Sequence, residues 1–346
     1  MQHKPVQKRF TGTAAGEVFD PRSVYRAEDF PVLHTRGGSF TVLNITDIHY
    51  SDKDIRFFMS FPAQRTVRRI IRTVKPDLIT VTGDIVCGRY THRSIARFTR
   101  FMESFNTPWA PVFGNHDDEG DCDLSYLADV MMSGAHCLMK KGDPAMGTGN
   151  YIVNIEDGGT ITNSLIMAYT GNAHLNPAQL DWYEWAVRGI GSVCGHTVPC
   201  TVFFHIPSAQ YQYVCDTAWD AKRRTWRSGF GAAGEVNEKI CCPRKKDGTP
   251  ADNGFFDRVL RAGATHDIIC GHEHMNNFSA VYEGIRLTYT LKVGKGSGFQ
   301  PGFNGASKII LDDFGVCSIT HIYDNKGTLT EQVITDRRQL AGYKAT

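Results

Sequence analysis

Five short groups of residues in this 346-residue chain share one feature. Asp47-Ile48-His49, Gly83-Asp84, Gly114-Asn115-His116-Asp117, His205 and Gly271-His272-Glu273-His274 each stand at the end of an apolar run. Taken singly they say little: Asp-x-His is ordinary turn chemistry, and a lone His after a strand is more often structural than a ligand. His-x-His is more specific, because alternate residues can offer two imidazoles to neighbouring cations. Five such ends in one chain predict a convergence of carboxylates and imidazoles beyond the carboxyl ends of strands, where open α/β sheets collect their functional groups. The chemistry that uses such a set is a two-metal centre. Two cations ~3.5–4 Å apart clamp a phosphoryl group, one carboxylate bridges them, and water between them loses its proton readily. Phosphoryl transfer asks mainly for positioning and charge neutralisation.

The elements that must place these groups are legible as alternating periodicities. SFTVLNIT (39–46), DLITVTGD (77–84), the short run before Gly114, YIVNI (151–155), SLIMAY (164–169), CTVFFH (200–205) and HDIIC (266–270) read as strands. Between them, 61–75 carries Val67, Ile70, Ile71 and Val74 at helical spacing and stops at Pro76, and further helices fit 92–105, 177–188 and 253–262. From about 278 onward the chain is strand-rich. Residues 215–252 are poor in apolar residues and predict a long loop. This alternation predicts an α/β fold with much parallel pairing. Residues 1–35 read as an irregular N-terminal arm, and 36–346 as a single catalytic domain.

Bulk composition sets the outer bounds. Apolar content of 41%, charged content of 21% and a formal charge of +2 describe an ordinary globular chain with no general attraction to nucleic acid or membranes. No run of apolar residues reaches transmembrane length, and the N-terminus has no apolar core of a signal peptide. The expectation is a soluble protein, cytoplasmic if Met1 is the natural start and secreted if a leader has been removed. Of the ten cysteines, Cys87 and Cys270 read as small buried hydrophobes. Cys122 with Cys137, or Cys194 with Cys200, could close loops in an oxidising compartment. The arginines of 65–72 read as a solvated helix face, and AKRRTWRSGF (221–230) as a loop or a wall for an aromatic phosphate. Asn277-Phe278-Ser279 is a glycosylation sequon.

The ordered set Asp-x-His, Gly-Asp, Gly-Asn-His-Asp, strand-end His and Gly-His-x-His resembles the calcineurin-like metallophosphoesterases over about residues 39–325. GNHDDEG, GTGNYIV, FHIPSAQY, GEVNEKICCP and NGFFDRVL ahead of GHEHMNN narrow the resemblance to the single-domain purple acid phosphatase-like branch. The resemblance implies a four-layer αββα sandwich, two mixed β-sheets flanked by helices. It also implies two transition-metal ions (manganese, iron or zinc). Asp47, His49 and His274 would hold one, Asn115, His205 and His272 the other, and Asp84 would bridge. By the same resemblance His116 faces the substrate and assists the leaving group, Asp117 orients or tunes that imidazole, and a phosphomonoester is cleaved by hydroxide held at the metals.

One departure concerns the second motif. Coloured purple acid phosphatases carry Gly-Asp-x-x-Tyr, whereas this chain reads Gly83-Asp84-Ile85-Val86-Cys87, and His49 stands where they use no ligand. A colourless centre, or a mixed iron centre without a tyrosinate band, is expected. The expected partner is a phosphorylated small molecule or phosphoprotein. The rival reading from the same ligand set is a phosphodiesterase or nuclease. A non-catalytic scaffold fits poorly because every ligand and the catalytic His are present, and no membrane-docking element supports a sphingomyelin-type lipid phosphodiesterase.

Overall fold

A computed structural model describes residues 6–13, 16, 18–35, 38–51, 57–294 and 298–337, with the side chains of 57–60 set aside. The outer ends of the predicted arm and domain, 1–5 and 338–346, lie outside the described residues. In chain order the elements are β1 (Val32–His34), β2 (Phe40–Ile45), α1 (Phe57–Val74), β3 (Leu78–Thr82), α2 (Thr91–Glu103), β4 (Trp109–Val112) and α3 (Leu124–Met132). There follow β5 (Tyr151–Asp157), β6 (Thr160–Met167), α4 (Pro177–Cys194), β7 (Cys200–Phe203), α5 (Ala209–Ala218), β8 (Trp219–Asp220), β9 (Thr225–Trp226) and α6 (Phe255–Ala262). The chain closes with β10 (Thr265–Cys270), β11 (Ser279–Tyr282), β12 (Ile285–Tyr289), β13 (Gly305–Asp312), β14 (Gly315–Asn325) and β15 (Thr328–Asp336).

Two large mixed sheets result. One has six strands in the order β15-β14-β13-β2-β3-β4, the other seven in the order β1-β5-β6-β7-β10-β12-β11. Within them β2, β3 and β4 run parallel, as do β6, β7, β10 and β12. The strands of the seven-stranded sheet are apolar on both faces, and the alternation of side chains shows why. Val153, Leu165, Met167, Phe203 and Ile269 face a central core shared with Val42, Ile79 and Val81 of the other sheet. Their neighbours Ile152, Ile166, Val202, Phe204, Ile268 and Cys270 join a second core under α4, α5 and α6. Helices α1, α2 and α3 contribute Val67, Ile70, Phe98, Met102 and Leu127 to the first core. The stack is therefore helix, sheet, sheet, helix. Asn44 of the six-stranded sheet donates to Thr290 Oγ1 at 2.7 Å, a buried polar tie to the chain leaving β12.

Capping explains where α4 begins and ends. Asn176 accepts from Gln179 N, Gln179 Oε1 accepts from Asn176 N, Pro177 takes the first helical position, and Gly195 closes the helix at φ 73°. Three local expectations change. Helix α1 starts four residues before the predicted Phe61, which puts Pro62 inside it. β1, expected in the irregular arm, pairs with β5 as an edge strand. α5 and the β8–β9 hairpin occupy the start of the predicted loop, and Trp226 packs on Trp219 and Phe278 instead of opening a substrate wall. Asn277 is buried with its amide bonded to Tyr323 and Glu235, so the sequon is unavailable in the folded protein. All ten cysteines are thiols, none in a disulfide, and Arg68 of the arginine-rich face lies over the rings of Phe101 and Phe105.

Candidate metal centre

The predicted site residues sit just past the carboxyl ends of five parallel strands. Asp47 and His49 follow β2, Asp84 follows β3, and Asn115 and His116 follow β4, all in one sheet. His205 follows β7, and His272 and His274 follow β10 in the other. The chain must turn sharply at these ends. Asp47 (φ 53°), His49 (47°), Asp84 (49°) and His272 (79°) all adopt left-handed backbone conformations. Such conformations cost a non-glycine residue about 1–3 kcal/mol and gather at functional sites. Two glycines allow the close approach: a Cβ on Gly114 would lie 2.2 Å from Asp84 Oδ1, and one on Gly271 would lie 2.0 Å from Thr46 Oγ1.

Asp84 lies between two imidazoles. Its Oδ2 is 3.5 Å from His49 Nε2, and its Oδ1 is 3.3 Å from His205 Nε2. Oδ1 also accepts from His116 N at 3.0 Å. His274 Nε2 stands 3.2 Å from His49 Nε2 and 3.3 Å from Asp47 Oδ1. Ligand atoms of Asp47, His49, Asp84 and His274 all fall within 4.8 Å of one another, a group able to hold a metal ion. On the other side of Asp84, the rings of His205 and His272 meet edge to face with centroids 5.1 Å apart.

The donor set fits a cation. His205 Nδ1 pairs with Thr82 O at 2.8 Å and His274 Nδ1 with Gly298 O at 3.0 Å. A carbonyl can only accept, so each Nδ1 carries the proton and each Nε2 is left as the ligand nitrogen. His205 Nε2, Asp47 Oδ1 and Asn115 Oδ1 are among the buried polar atoms that have no hydrogen-bond partner within the described residues. Orphaned buried polar atoms are costly, and all three belong to residues expected to bind metal.

The electrostatics are those of a crowded, dry site. Burial works against Asp47 ionising, but His274, His205 and the buried Lys292 outweigh it and hold the carboxyl well below the usual range. For His205, Asp84 and Asp47 overcome burial and lift the imidazole to about 10, so a cation binding at Nε2 displaces that proton. For His49, burial prevails over the attraction of Asp84, and its imidazole falls to about 3. Lys292 Nζ donates to the carbonyl of Asp47. Burial lowers this ammonium to about 8 against the pull of Asp47 and Asp84.

Asp117 departs from expectation. Its carboxylate does not orient His116: Oδ1 accepts from Val86 N at 2.8 Å and Oδ2 from Gly114 N at 2.7 Å. It thereby pins the loop after Asp84 to the turn before Asn115. It is fully buried, and burial with the nearby Asp84 raises its carboxyl to about 7. The partner of His116 is Glu119, whose Oε1 lies 2.8 Å from His116 Nδ1, one helical turn along. That i,i+3 spacing was the only signal for it in the sequence. Lys292, ending an apolar stretch, carried none. Cys87 is a buried thiol donating to His49 O at 3.1 Å and is no part of the ligand group. Cys241, His272 and Glu273 form a second group with ligand atoms within 4.8 Å.

The loop bearing His272 and His274 is held from outside. Asn276 Oδ1 accepts from Asn237 N and Glu238 N at 2.8 and 3.0 Å, Glu238 accepts from Met275 N at 2.6 Å, and Glu273 accepts from Cys241 N. The GEVNEKICC segment is a clamp on the GHEHMNN loop.

The sequence profile of the family described as Calcineurin-like phosphoesterase matches residues 40–276, which span all five strand-end motifs. The chain belongs to the calcineurin-like phosphoesterases. The chain is similar to several proteins named as purple acid phosphatases. The "Probable inactive purple acid phosphatase 14" of Arabidopsis thaliana is 24% identical over 73% of this chain and 70% of its own length. The "Probable inactive purple acid phosphatase 28" of the same plant is 22% identical over 84% and 79%. "Phosphatase DCR2" of Saccharomyces cerevisiae is 22% identical over 70% of this chain and 45% of its own length. Calcineurin-like phosphoesterases use divalent metals, and the strand-end group of Asp47, His49, Asp84 and His274 could hold one. Among the described residues, no helix is long and apolar enough to cross a membrane.

Proposed function

We propose that this calcineurin-like phosphoesterase hydrolyses phosphomonoesters at a centre of two divalent ions of manganese, iron or zinc. Asp47, His49 and His274 would hold one, Asn115, His205 and His272 the other, with Asp84 between them. The observation that carries the reading is Asp84 itself, one carboxylate oxygen facing His49 and the other His205. Bound there, such ions supply charge neutralisation for the phosphoryl oxygens and lower the pKa of water.

The residues of the chain do the rest. The main-chain bond from His116 N to Asp84 fixes the strand end that carries the imidazole relative to the bridging carboxylate. Glu119 holds Nδ1 of the half-exposed ring and leaves Nε2 to give a proton to the departing alkoxide. Asp117 keeps the two loops in register. Asp47 is anchored by Thr46 Oγ1 at 2.8 Å and His272 N at 3.1 Å on Oδ2, which leaves Oδ1 for the ion.

The test is protein stripped of metal, refilled with manganese, iron or zinc, and assayed on p-nitrophenyl phosphate and bis-p-nitrophenyl phosphate. Faster monoester turnover, abolished in Asp84→Asn, supports the reading. Faster diester turnover assigns the site to phosphodiester hydrolysis. Absence of both with metal bound would place this chain with the relatives whose names carry the word inactive.

A further inference from the structure

A cavity of about 600 Å³ lies between α1, the segment before β13 and the β14–β15 hairpin. That volume falls in the ~300–1,000 Å³ range of small-molecule sites. None of its lining residues belongs to the metal centre. Arg65 and Arg69 of α1 and Lys326 of the hairpin line it against one carboxylate, Asp324. Asp324 is already committed: Arg69 Nη1, Thr66 Oγ1 (2.6 Å) and Gly327 N (2.9 Å) all donate to it. Arg69 is neutralised and fixed by that bond. Arg65 and Lys326 are exposed at the rim and have no ion pair among the described residues. Asn304 braces the inner end, accepting from Gly294 N at 2.7 Å and donating to Thr66 Oγ1 at 3.2 Å. Pro62, Phe299 and Pro301 give the cavity an apolar surface.

Two cations without an ion pair among the described residues, beside a ring and two prolines, recognise an anion carried on a flat apolar body. Guanidinium and ammonium groups match phosphoryl oxygens, and an aromatic wall accepts a planar ring. We propose that this cavity is a second ligand site, separate from the metal centre, for an organic phosphate of the mononucleotide kind. Its phosphoryl group meets Arg65 and Lys326, and its base lies on the Phe299–proline surface.

The test is calorimetric titration of the full chain with adenosine 5′-monophosphate and with inorganic phosphate. It is run on the wild type, on Asp84→Asn, and on Asp84→Asn carrying Arg65→Glu and Lys326→Asn. Asparagine suits the left-handed φ of 52° at position 326, and unchanged melting confirms the fold of each variant. The proposal expects one nucleotide to bind Asp84→Asn, with at least about tenfold loss when both cations are removed, because both charge-assisted contacts to the phosphoryl group are lost. Inorganic phosphate should bind the same variant at least about tenfold more weakly than the nucleotide, the share of the ring contact. Nucleotide binding that vanishes in Asp84→Asn, or that survives loss of both cations, overturns it, as does phosphate binding equal to that of the nucleotide. The outcome is independent of whether the metal centre hydrolyses monoesters.

Discussion

His116 has one ring nitrogen held and one available, and Glu119 makes the difference. The pair lies at the rim, with side chains 41% and 53% exposed, so solvent screens it and its worth is modest. Glu119→Gln is expected to lower kcat about three- to tenfold with little change in KM, whereas His116→Ala should cost about 10²–10⁴ in kcat. Steady-state kinetics on the metal-loaded protein separates the two. An equal loss in both variants would make Glu119 more than a positioning residue. At this scale most of the site could be read in advance, because metal ligands are set by residue type, and His, Asp and Asn at strand ends advertise themselves. What could not be read was which acid touches His116. Asp117 is adjacent in sequence, but the one-turn helix over Asp117–Glu119 sends its side chain inward to two backbone amides and brings Glu119 round to the imidazole.

Between elements, the clamp of 234–242 on 271–277 deserves a direct perturbation. Asn276→Ala would strip the partner from two backbone amides, Asn237 N and Glu238 N, at a cost of about 1–3 kcal/mol. The loop it releases carries His272 and His274. The expected outcome is weaker metal binding with the fold intact, measured as a higher chelator sensitivity alongside unchanged far-ultraviolet circular dichroism. Metal affinity equal to wild type would show that the strand end alone positions both imidazoles. The core strands were legible because both faces are buried and their apolar runs are unbroken. α5 was not: it is ten residues long, and its apolar positions follow a proline within a polar stretch. β1 was missed for a related reason, being a three-residue edge strand that pairs, among the described residues, with β5 alone. Its place is decided by a neighbour more than a hundred residues away, which no local pattern records.

The whole molecule joins two sheets at one seam, and the residues proposed to hold metal lie across it. Ions bound there link β2, β3 and β4 to β7 and β10, so metal should stabilise the fold as any native-state ligand does, by about 2.7 kcal/mol at a hundredfold excess over Kd. Thermal melts with and without added manganese would measure it, and an unchanged midpoint would argue against binding at the seam. A buried imidazole adds a pH limit. His321 is fully buried with Nδ1 2.9 Å from Ser307 Oγ and Nε2 2.9 Å from Asn277 O, and burial lowers its pKa to about 4. The unfolded chain, with an ordinary histidine value of ~6.5, binds that proton first. Its contribution is therefore fully present above about pH 6.5 and is lost as pH falls toward 4, by up to about 3 kcal/mol. Urea unfolding at pH 7 and pH 5 should show this loss in the wild type and less of it in His321→Gln, and equal losses would refute the assignment. The alternation of strands and helices pointed to an α/β fold, and the four layers were legible only through the family resemblance that the motif order carries. The cavity beside α1 was not, since its walls come from three segments far apart in sequence.

The central claim is that Asp84 bridges two catalytic ions, and one titration tests it most directly. Metal-free protein is titrated with manganese while bound metal and p-nitrophenyl phosphate turnover are followed together, with Asp84→Asn in parallel. The account predicts turnover that rises to saturation at two ions per chain in the wild type, and loss of both the second ion and turnover in the variant. Full turnover at a single ion, or two tightly bound ions in Asp84→Asn with activity retained, would contradict it.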